Sequence, residues 1–506
     1  MKNIYDDYII GISYGFHDSA VALIQNGKVL NAVEEERFTG IKHDNQFPIN
    51  SINWILKENK INGQQISAVC YYENPKLKYD RDWKSYWKYF WKNPFKFPKK
   101  TDPLKPLEDI FPNAKILVGN HHLSHLAYSY FTSDFKESAI LSVDGVGEWD
   151  TTVMAYGKEN IISRKSEVVY PHSLGLLYST ITAFLGFKPN EGEYKVMGLA
   201  PYGHPAFYEK KFRELIKETE DGFELNMDYF SYHYSDKIMF NTKLSKLFGI
   251  PNRLPKERIS DKHKNIAAAL QYTYEYHFFK LLNKLYTKTK TPNLCLSGGC
   301  AYNGTANGKI QNRTPFKNIW IPPAPSDAGS AIGAALNYWN HITNDRKENK
   351  TPFLGPSEKL LDIVKIVKDN EDKIFYEALS DEELLPKVAK LISEGNIIGW
   401  VRGQLEFGAR ALGNRSILAD PRDPQMKRRV NMVVKKREGF RPFAPMCCYD
   451  DMKNFFTPTI EIPYMNQIVS VKPKHRKKLQ AITHIDGSSR VQTLREDFNP
   501  KMYKLL

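Results

Sequence analysis

Three of the chain's 13 histidines fall within five positions, in Asn120-His121-His122-Leu123-Ser124-His125. On a helix, His121 and His125 are i and i+4, so both rings leave one face and can chelate a metal ion. Two imidazoles are an incomplete ligand set. Carboxylates on neighbouring turns would complete it, and Asp144 and Asp327 both stand on glycine-flanked tips. Mixed nitrogen and oxygen ligation suits Fe(II), Mn or Zn better than Ca. A helix N-terminus with polar caps is the plainer reading, but three histidines in so short a run favour a metal.

Other segments carry charge in patterns that ordinary surfaces lack. The run from Ser142 to Glu148 ends a strand in Asp144-Gly145-Val146-Gly147. Gly145 and Gly147 let backbone N–H groups approach a phosphate beside one carboxylate. This turn is common alone and gains force from the later pair Gly298-Gly299. The run from Glu193 to Gly203 holds Glu193 and Lys195 among apolar residues. That suggests a positioned charge pair, although a loop–helix junction has the same composition. Further on, Arg410 and Arg415 lie among glycines, followed by Lys435, Arg437 and Arg441, then Arg490. Guanidinium forks grip phosphate bidentately. A solvated basic face would show helical periodicity and accompanying glutamates, and these segments do not. The expected ligand is small and multiply charged, such as an acyl phosphate with ATP.

The elements that must position these groups can be read from hydrophobic pattern. Residues 8–13, 19–25 and 29–34 read as strands, with a hairpin turn at Asn26-Gly27 and a polar tip from Tyr14 to Asp18. The plan recurs at 139–165: strand, glycine tip, strand, a turn at Gly157-Lys158, strand. Two such units suggest an internal duplication. A duplicated meander with a glycine- and Asp-bearing first turn is the ground plan of actin-like, sugar-kinase and Hsp70 nucleotide-binding folds. Residues 264–288 predict a long helix, 293–298 a short strand, and the small-residue run after Asp327 a tightly packed helix. A polar stretch at 342–358 is the best linker. A helix at 381–395 and a strand at 396–401 follow.

Length and composition set the frame. The chain has 506 residues, 42% of them hydrophobic, enough for two or three packed domains and too many for a disordered chain. The five cysteines form no CxxC pair, so neither a disulfide framework nor a structural zinc site is supported. No signal-peptide core and no run of 18 apolar residues occurs, so a cytoplasmic protein without a transmembrane segment is expected. A net charge of +15 favours acidic partners without choosing among them. Residues 76–105 interleave Lys and Arg with Trp, Tyr and Phe. That composition suits a nucleic-acid or membrane-surface contact, but an amphipathic helix with solvated lysines is the favoured reading.

Taken together, the strings FHDSAVALIQNGKVLNAVEEERF (16–38), NHHLSH (120–125), SVDGVGEWDTT (142–152), EYKVMGLAPYG (193–203), LSGGCAYNGTANGKI (296–310), PAPSDAGSAIGAAL (323–336), EFGARALGNRSILADPR (406–422) and KKREGFRPFAP (435–445) resemble the carbamoyltransferase family, typified by nodulation-factor and antibiotic O-carbamoyltransferases. The resemblance spans residues 8–495. It implies an α/β chain with a duplicated actin-like (ASKHA) domain at 1–345, similar to the tRNA threonylcarbamoyladenosine-forming enzyme. A linker at 346–358 and a YrdC-like α/β domain at 359–506 would follow. The YrdC-like domain would join carbamoyl phosphate to Mg-bound ATP, giving carbamoyl adenylate and pyrophosphate. The actin-like domain would then pass the carbamoyl group to a hydroxyl beside a divalent metal, Fe(II) in the family. The resemblance places the metal ligands on His121, His125, Asp144 and Asp327. It places the general base on His17, with Asp18 and Lys195 in the catalytic set. Ligand contacts fall on Gly145, Gly147, Gly298, Gly299, Asn303, Arg410, Arg415, Lys435, Arg437, Arg441 and Arg490, with Gly298 and Gly299 against the adenylate.

Ala409 stands where the family usually has Pro, and Cys300 where a small aliphatic residue is common; both are tolerable. Family members usually run on past the point matching Leu506, so the resemblance implies a YrdC-like domain short of its C-terminal end. The acceptor is expected to be a small-molecule or glycan hydroxyl, and a homodimer is compatible with the fold. The alternatives are a threonylcarbamoyl-type transferase acting on tRNA and a non-catalytic nucleic-acid-binding relative. The domain order and the 406–422 string fit the small-molecule enzymes better.

Overall fold

Strands β1 (Tyr8–Ser13), β2 (Ala20–Gln25) and β3 (Lys28–Glu34) are rich in Ile, Val and Ala and largely buried. They pair antiparallel in sequence, and β1 also pairs in parallel with β4 (Ile66–Tyr71), which pairs with β5 (Lys115–Val118). The first sheet therefore has the order β3-β2-β1-β4-β5. Strands β6 (Glu137–Val143), β7 (Asp150–Lys158) and β8 (Ile161–Val169) repeat the meander. Parallel strands β9 (Asn293–Ser297) and β10 (Asn318–Trp320) complete the second sheet, β8-β7-β6-β9-β10. The two sheets share one topology, which is the structural form of the duplication. The fold is mixed α/β and actin-like. The computed structural model describes residues 7–95, 97–441 and 443–506.

Asn26 (φ 52°) and Gly27 (φ 73°) both take left-handed backbone, as a two-residue hairpin requires. The second hairpin turns elsewhere than expected. Gly157 and Lys158 are paired within the β7–β8 ladder, and Glu159 (φ 50°) takes the turn. Gly157 serves packing: a Cβ there would lie 2.7 Å from the Tyr130 ring.

Four helices frame the sheets: α1 (Pro75–Lys88), α2 (His121–Phe131), α3 (Asp261–Thr289) and α4 (Asp327–Thr343). Helix α2 follows the first sheet in sequence but packs on β6, β7 and β9 of the second. Helix α4 follows the second sheet but packs on β1, β2 and β4 of the first. The two exchanged helices press against each other. A Cβ on Gly333 would lie 1.9 Å from the Ser124 carbonyl oxygen, so the approach depends on glycine.

The chain divides into two compact units, 1–350 and 351–506. The stretch expected as a linker is structured. Arg346 donates to the carbonyl of Phe135 at 2.7 Å, and Asn349 bonds the Gly27 carbonyl and the Val29 amide in the first unit. Phe353–Ser357 is a strand paired with Gln404–Glu406 in the second. Polar side chains in this stretch satisfy backbone groups rather than solvating a free tether. In the second unit, helix Asp381–Ser393 packs on a core of Trp400, Leu494 and Met502. A second core gathers Met452, Phe456, Ile462, Val471 and Val491.

Candidate metal centre and anion pocket

Asn120 caps α2 by accepting from the Leu123 amide at 3.0 Å, which starts the helix at His121. Glu148 fixes the same end, its Oε1 accepting from the His121 amide at 2.9 Å and the Asn74 amide at 2.7 Å. One turn apart on this helix, the His121 and His125 Nε2 atoms are 3.1 Å from each other. Asp144 arrives from the end of β6 and Asp327 from the start of α4. Asp144 Oδ2 lies 3.1 Å from His121 Nε2 and 3.6 Å from His125 Nε2. Asp327 Oδ1 lies 3.6 and 3.4 Å from the same atoms. The four residues are all buried and offer donor atoms within 4.8 Å of one another.

Outer contacts orient the ligands. His125 Nδ1 lies 2.9 Å from Ser330 Oγ, and His121 Nδ1 faces Glu73 Oε2 at 3.8 Å. The Gly299 amide donates to Asp144 Oδ1 at 2.8 Å. Such partners set ring and carboxylate direction in metal sites. Gly147 is required by proximity, since a Cβ there would meet His121 at 2.9 Å. His122 faces away, lying 2.9 Å from Ser142 Oγ and 3.0 Å from the Asp150 carbonyl oxygen, and ties α2 to the sheet.

The electrostatics fit a cation at this cluster. Burial raises Asp144, but hydrogen bonds from His121 and then His125 hold it well below the usual carboxylate range. Burial lowers His121, yet Asp327 and Asp144 hold it well above the ordinary histidine value. Neither oxygen of buried Asp327 has a hydrogen-bond partner. Orphaned buried carboxylate oxygens are costly, and a divalent ion on the N₂O₂ set would satisfy them.

His17 and Asp18 lie on the β1–β2 tip. His17 Nδ1 is 3.0 Å from Asp18 Oδ2, and His43, which the sequence reading did not single out, places Nδ1 2.6 Å from Asp18 Oδ1. Burial lowers His17, while the charge of Asp327 and the bond to Asp18 push it up to about 10. Lys195 sits on the helix Glu193–Leu199, its ammonium 5.8 Å from the Phe187 ring. Glu193 accepts from Ser179 Oγ at 2.6 Å and from the Asn190 amide, bracing the preceding loop.

Two expected ligand contacts also make bonds within the fold. Asn303 caps a short helix through the Ala306 amide at 3.1 Å and exchanges amide bonds with Gln271. Arg415 donates to the carbonyls of Arg402 at 3.0 Å and Gly403 at 2.9 Å, and pairs with Glu358. It staples a loop. Gly298, at φ 84°, backs onto the Val143 backbone, and Gly299 onto Asp144.

The second unit gathers the other cations. Burial, then the charges of Arg410, Arg437 and Arg441, hold Arg490 well below the ordinary arginine value. Its Nε is buried without a hydrogen-bond partner. Lys435 is lowered by burial and by Arg437 and Arg441. Glu406 shapes the adjoining loop, accepting from the amides of Leu412, Asn414 and Arg415 at 2.7–3.1 Å. Cations that converge in this way are favoured by an anion among them.

Comparison with known proteins identifies the family. A carbamoyltransferase N-terminus profile matches residues 8–336, and a carbamoyltransferase C-terminus profile matches residues 389–506. An uncharacterized protein of Synechocystis sp. is 39% identical over 99% of this chain and 88% of its own. Nodulation protein NolNO of Sinorhizobium fredii is 33% identical over 97% of this chain and 71% of its own. The 3'-hydroxymethylcephem-O-carbamoyltransferase of Amycolatopsis lactamdurans is 27% identical over 78% of this chain and 71% of its own. With its two matched regions and full-length relatives, the chain belongs to the carbamoyltransferase family and is a transferase.

Proposed function

We propose that the chain is an ATP-dependent O-carbamoyltransferase that works in two steps on two residue sets. The observation that carries this reading is the pairing of a buried His/Asp ligand set in the first unit with converging arginines in the second. In the first step, water splits carbamoyl phosphate to carbamate and phosphate. A carbamate oxygen then attacks the α-phosphorus of ATP, and pyrophosphate leaves. Arg410, Lys435, Arg437, Arg441 and Arg490 would hold the anionic groups and offset charge as the leaving phosphate departs. This part of the chain corresponds to the YrdC-like domain.

In the second step, a hydroxyl of a small molecule or glycan attacks the carbamoyl carbon, and AMP leaves. His121, His125, Asp144 and Asp327 would hold a divalent metal, with Fe(II) the favoured ion. When bound, such an ion polarises a carbonyl oxygen as a Lewis acid. His17 would take the hydroxyl proton, with Asp18 fixing its ring. His17 must be neutral to act as a base, so the negative charge of Asp144 and Asp327 that raises it has to be offset. A cation at the cluster does so. Lys195 would complete the catalytic set.

The test is to incubate the protein with carbamoyl phosphate and ATP and to measure pyrophosphate. Release without an acceptor is the expected result. A protein that binds both ligands and releases none overturns the two-step reading. Mass-shift screening of hydroxylated sugars and antibiotics then identifies the acceptor.

A further inference from the structure

One region of the first unit takes no part in either step. Helix α1 begins against the metal centre: Asn74, its N-cap, shares Glu148 with His121. Its 14 residues carry the chain about 21 Å away. Residues 83–100, at its far end and in the turn beyond, hold six lysines, eight aromatic residues and no acid. The favoured sequence reading, a helix burying one face, holds for Arg81 and Tyr86 and then fails. Trp87 is 65% exposed, Trp91 92%, Phe95 89% and Phe97 62%.

This surface is built rather than loose. The Tyr86 hydroxyl donates to the Pro94 carbonyl at 3.1 Å, and Asn93 Nδ2 to that of Tyr234 at 3.1 Å. Lys92 lies 4.7 Å over the Tyr234 ring. Trp83, Trp87 and Phe90 stack in a ladder at 6.1 and 5.9 Å. Large aromatics held out in water as a contiguous patch mark a contact surface.

We propose that this surface docks the protein on an anionic lipid bilayer. Lysines attract the negative headgroup layer diffusely, while Trp and Phe partition into the interfacial zone. Two observations favour lipid over single-stranded nucleic acid. Base-stacking rings line a groove with cations beside them. Here Trp91 and Phe95 stand almost wholly clear of the protein. The cations of 83–100 are all lysine, whereas bidentate phosphate grips and base stacking favour arginine.

The test uses the full chain and vesicles of phosphatidylcholine, with or without 30% phosphatidylglycerol by preparation (about one anionic lipid in three). Sedimentation with the anionic vesicles and a blue shift of tryptophan emission are expected, both weakening with salt. The double variant Trp91→Ser/Phe95→Ser should bind these vesicles at least about tenfold more weakly. Its circular dichroism and thermal unfolding should match those of the wild type, which shows that it folds. No binding to anionic vesicles at low salt overturns the proposal, as does undiminished binding by the variant. Binding of single-stranded RNA through the same two residues, with vesicles ignored, reassigns the surface to nucleic acid. A wild-type dimer that the variant dissociates reassigns it to a second copy. Vesicle binding is read without substrates, so it stands or falls independently of the proposed reaction.

Discussion

His43 Nδ1 lies 2.6 Å from Asp18 Oδ1, on the side of the carboxylate opposite His17. Asp18 is thus held between two imidazoles, at a residue with left-handed backbone (φ 53°). His43 fixes the carboxylate that fixes His17. His43→Ala should lower carbamoyl transfer about tenfold, and Asp18→Asn about 10²-fold. Neither should slow pyrophosphate release. Equal loss in both half-reactions would argue against this division.

The resting His17 is pushed up to about 10 from an ordinary 6.5. A raised histidine contributes stability that is complete below pH 6.5 and is lost as pH rises toward 10. Metal-free protein should therefore lose its thermal advantage over His17→Gln across that window. A constant difference in melting temperature from pH 6 to pH 10 (a flat profile on the scale of about 1 kcal/mol) contradicts the pairing.

Metal should stabilise the fold by mass action. At a hundredfold excess over Kd, the gain is about 2.7 kcal/mol. Thermal scans with Fe(II), Mn(II) or Zn(II) should show the shift, and a chelator should reverse it. His121→Ala should abolish the shift and transfer while leaving pyrophosphate release intact.

Gly147→Ala places a Cβ 2.9 Å from His121. The ring must move away from Asp144. Metal affinity should fall about 10–100-fold, the range seen when ligand orientation is disturbed. Titration by calorimetry checks it, with Gly145→Ala, whose Cβ meets nothing within 4 Å, as control.

Arg490→Met removes one cation from a crowded set. Pyrophosphate release should fall about 10²–10³-fold. Free pyrophosphate, which should raise the melting temperature of the wild type, should lose its effect. Metal binding should persist.

Much of the His/Asp cluster was legible in the chain. The i, i+4 spacing of His121 and His125 announces a shared face, and both aspartates stand on glycine tips. The meanders were legible because their strands are short apolar runs between turn residues. Side-chain allegiance was not. Arg415 and Arg490 look alike in sequence, yet one is consumed by backbone carbonyls and the other faces its own kind. Asn303 likewise gave no sign that it caps a helix. Glu73, Glu148 and Ser330 were missed because an outer partner has no fixed spacing from the residue it orients. His43 lies 25 residues beyond Asp18 and joins it only through the fold.

The exchange of α2 and α4 between the sheets has a kinetic consequence. His121 follows the first sheet, Asp144 belongs to the second, and Asp327 returns to the first after 183 further residues. No single half of the duplication holds a complete ligand set. Loop closure of that length is slow, and non-local contacts form late. High-affinity metal uptake should therefore be among the last events of folding, and the ion would act as a latch on an assembled first unit rather than as its nucleus.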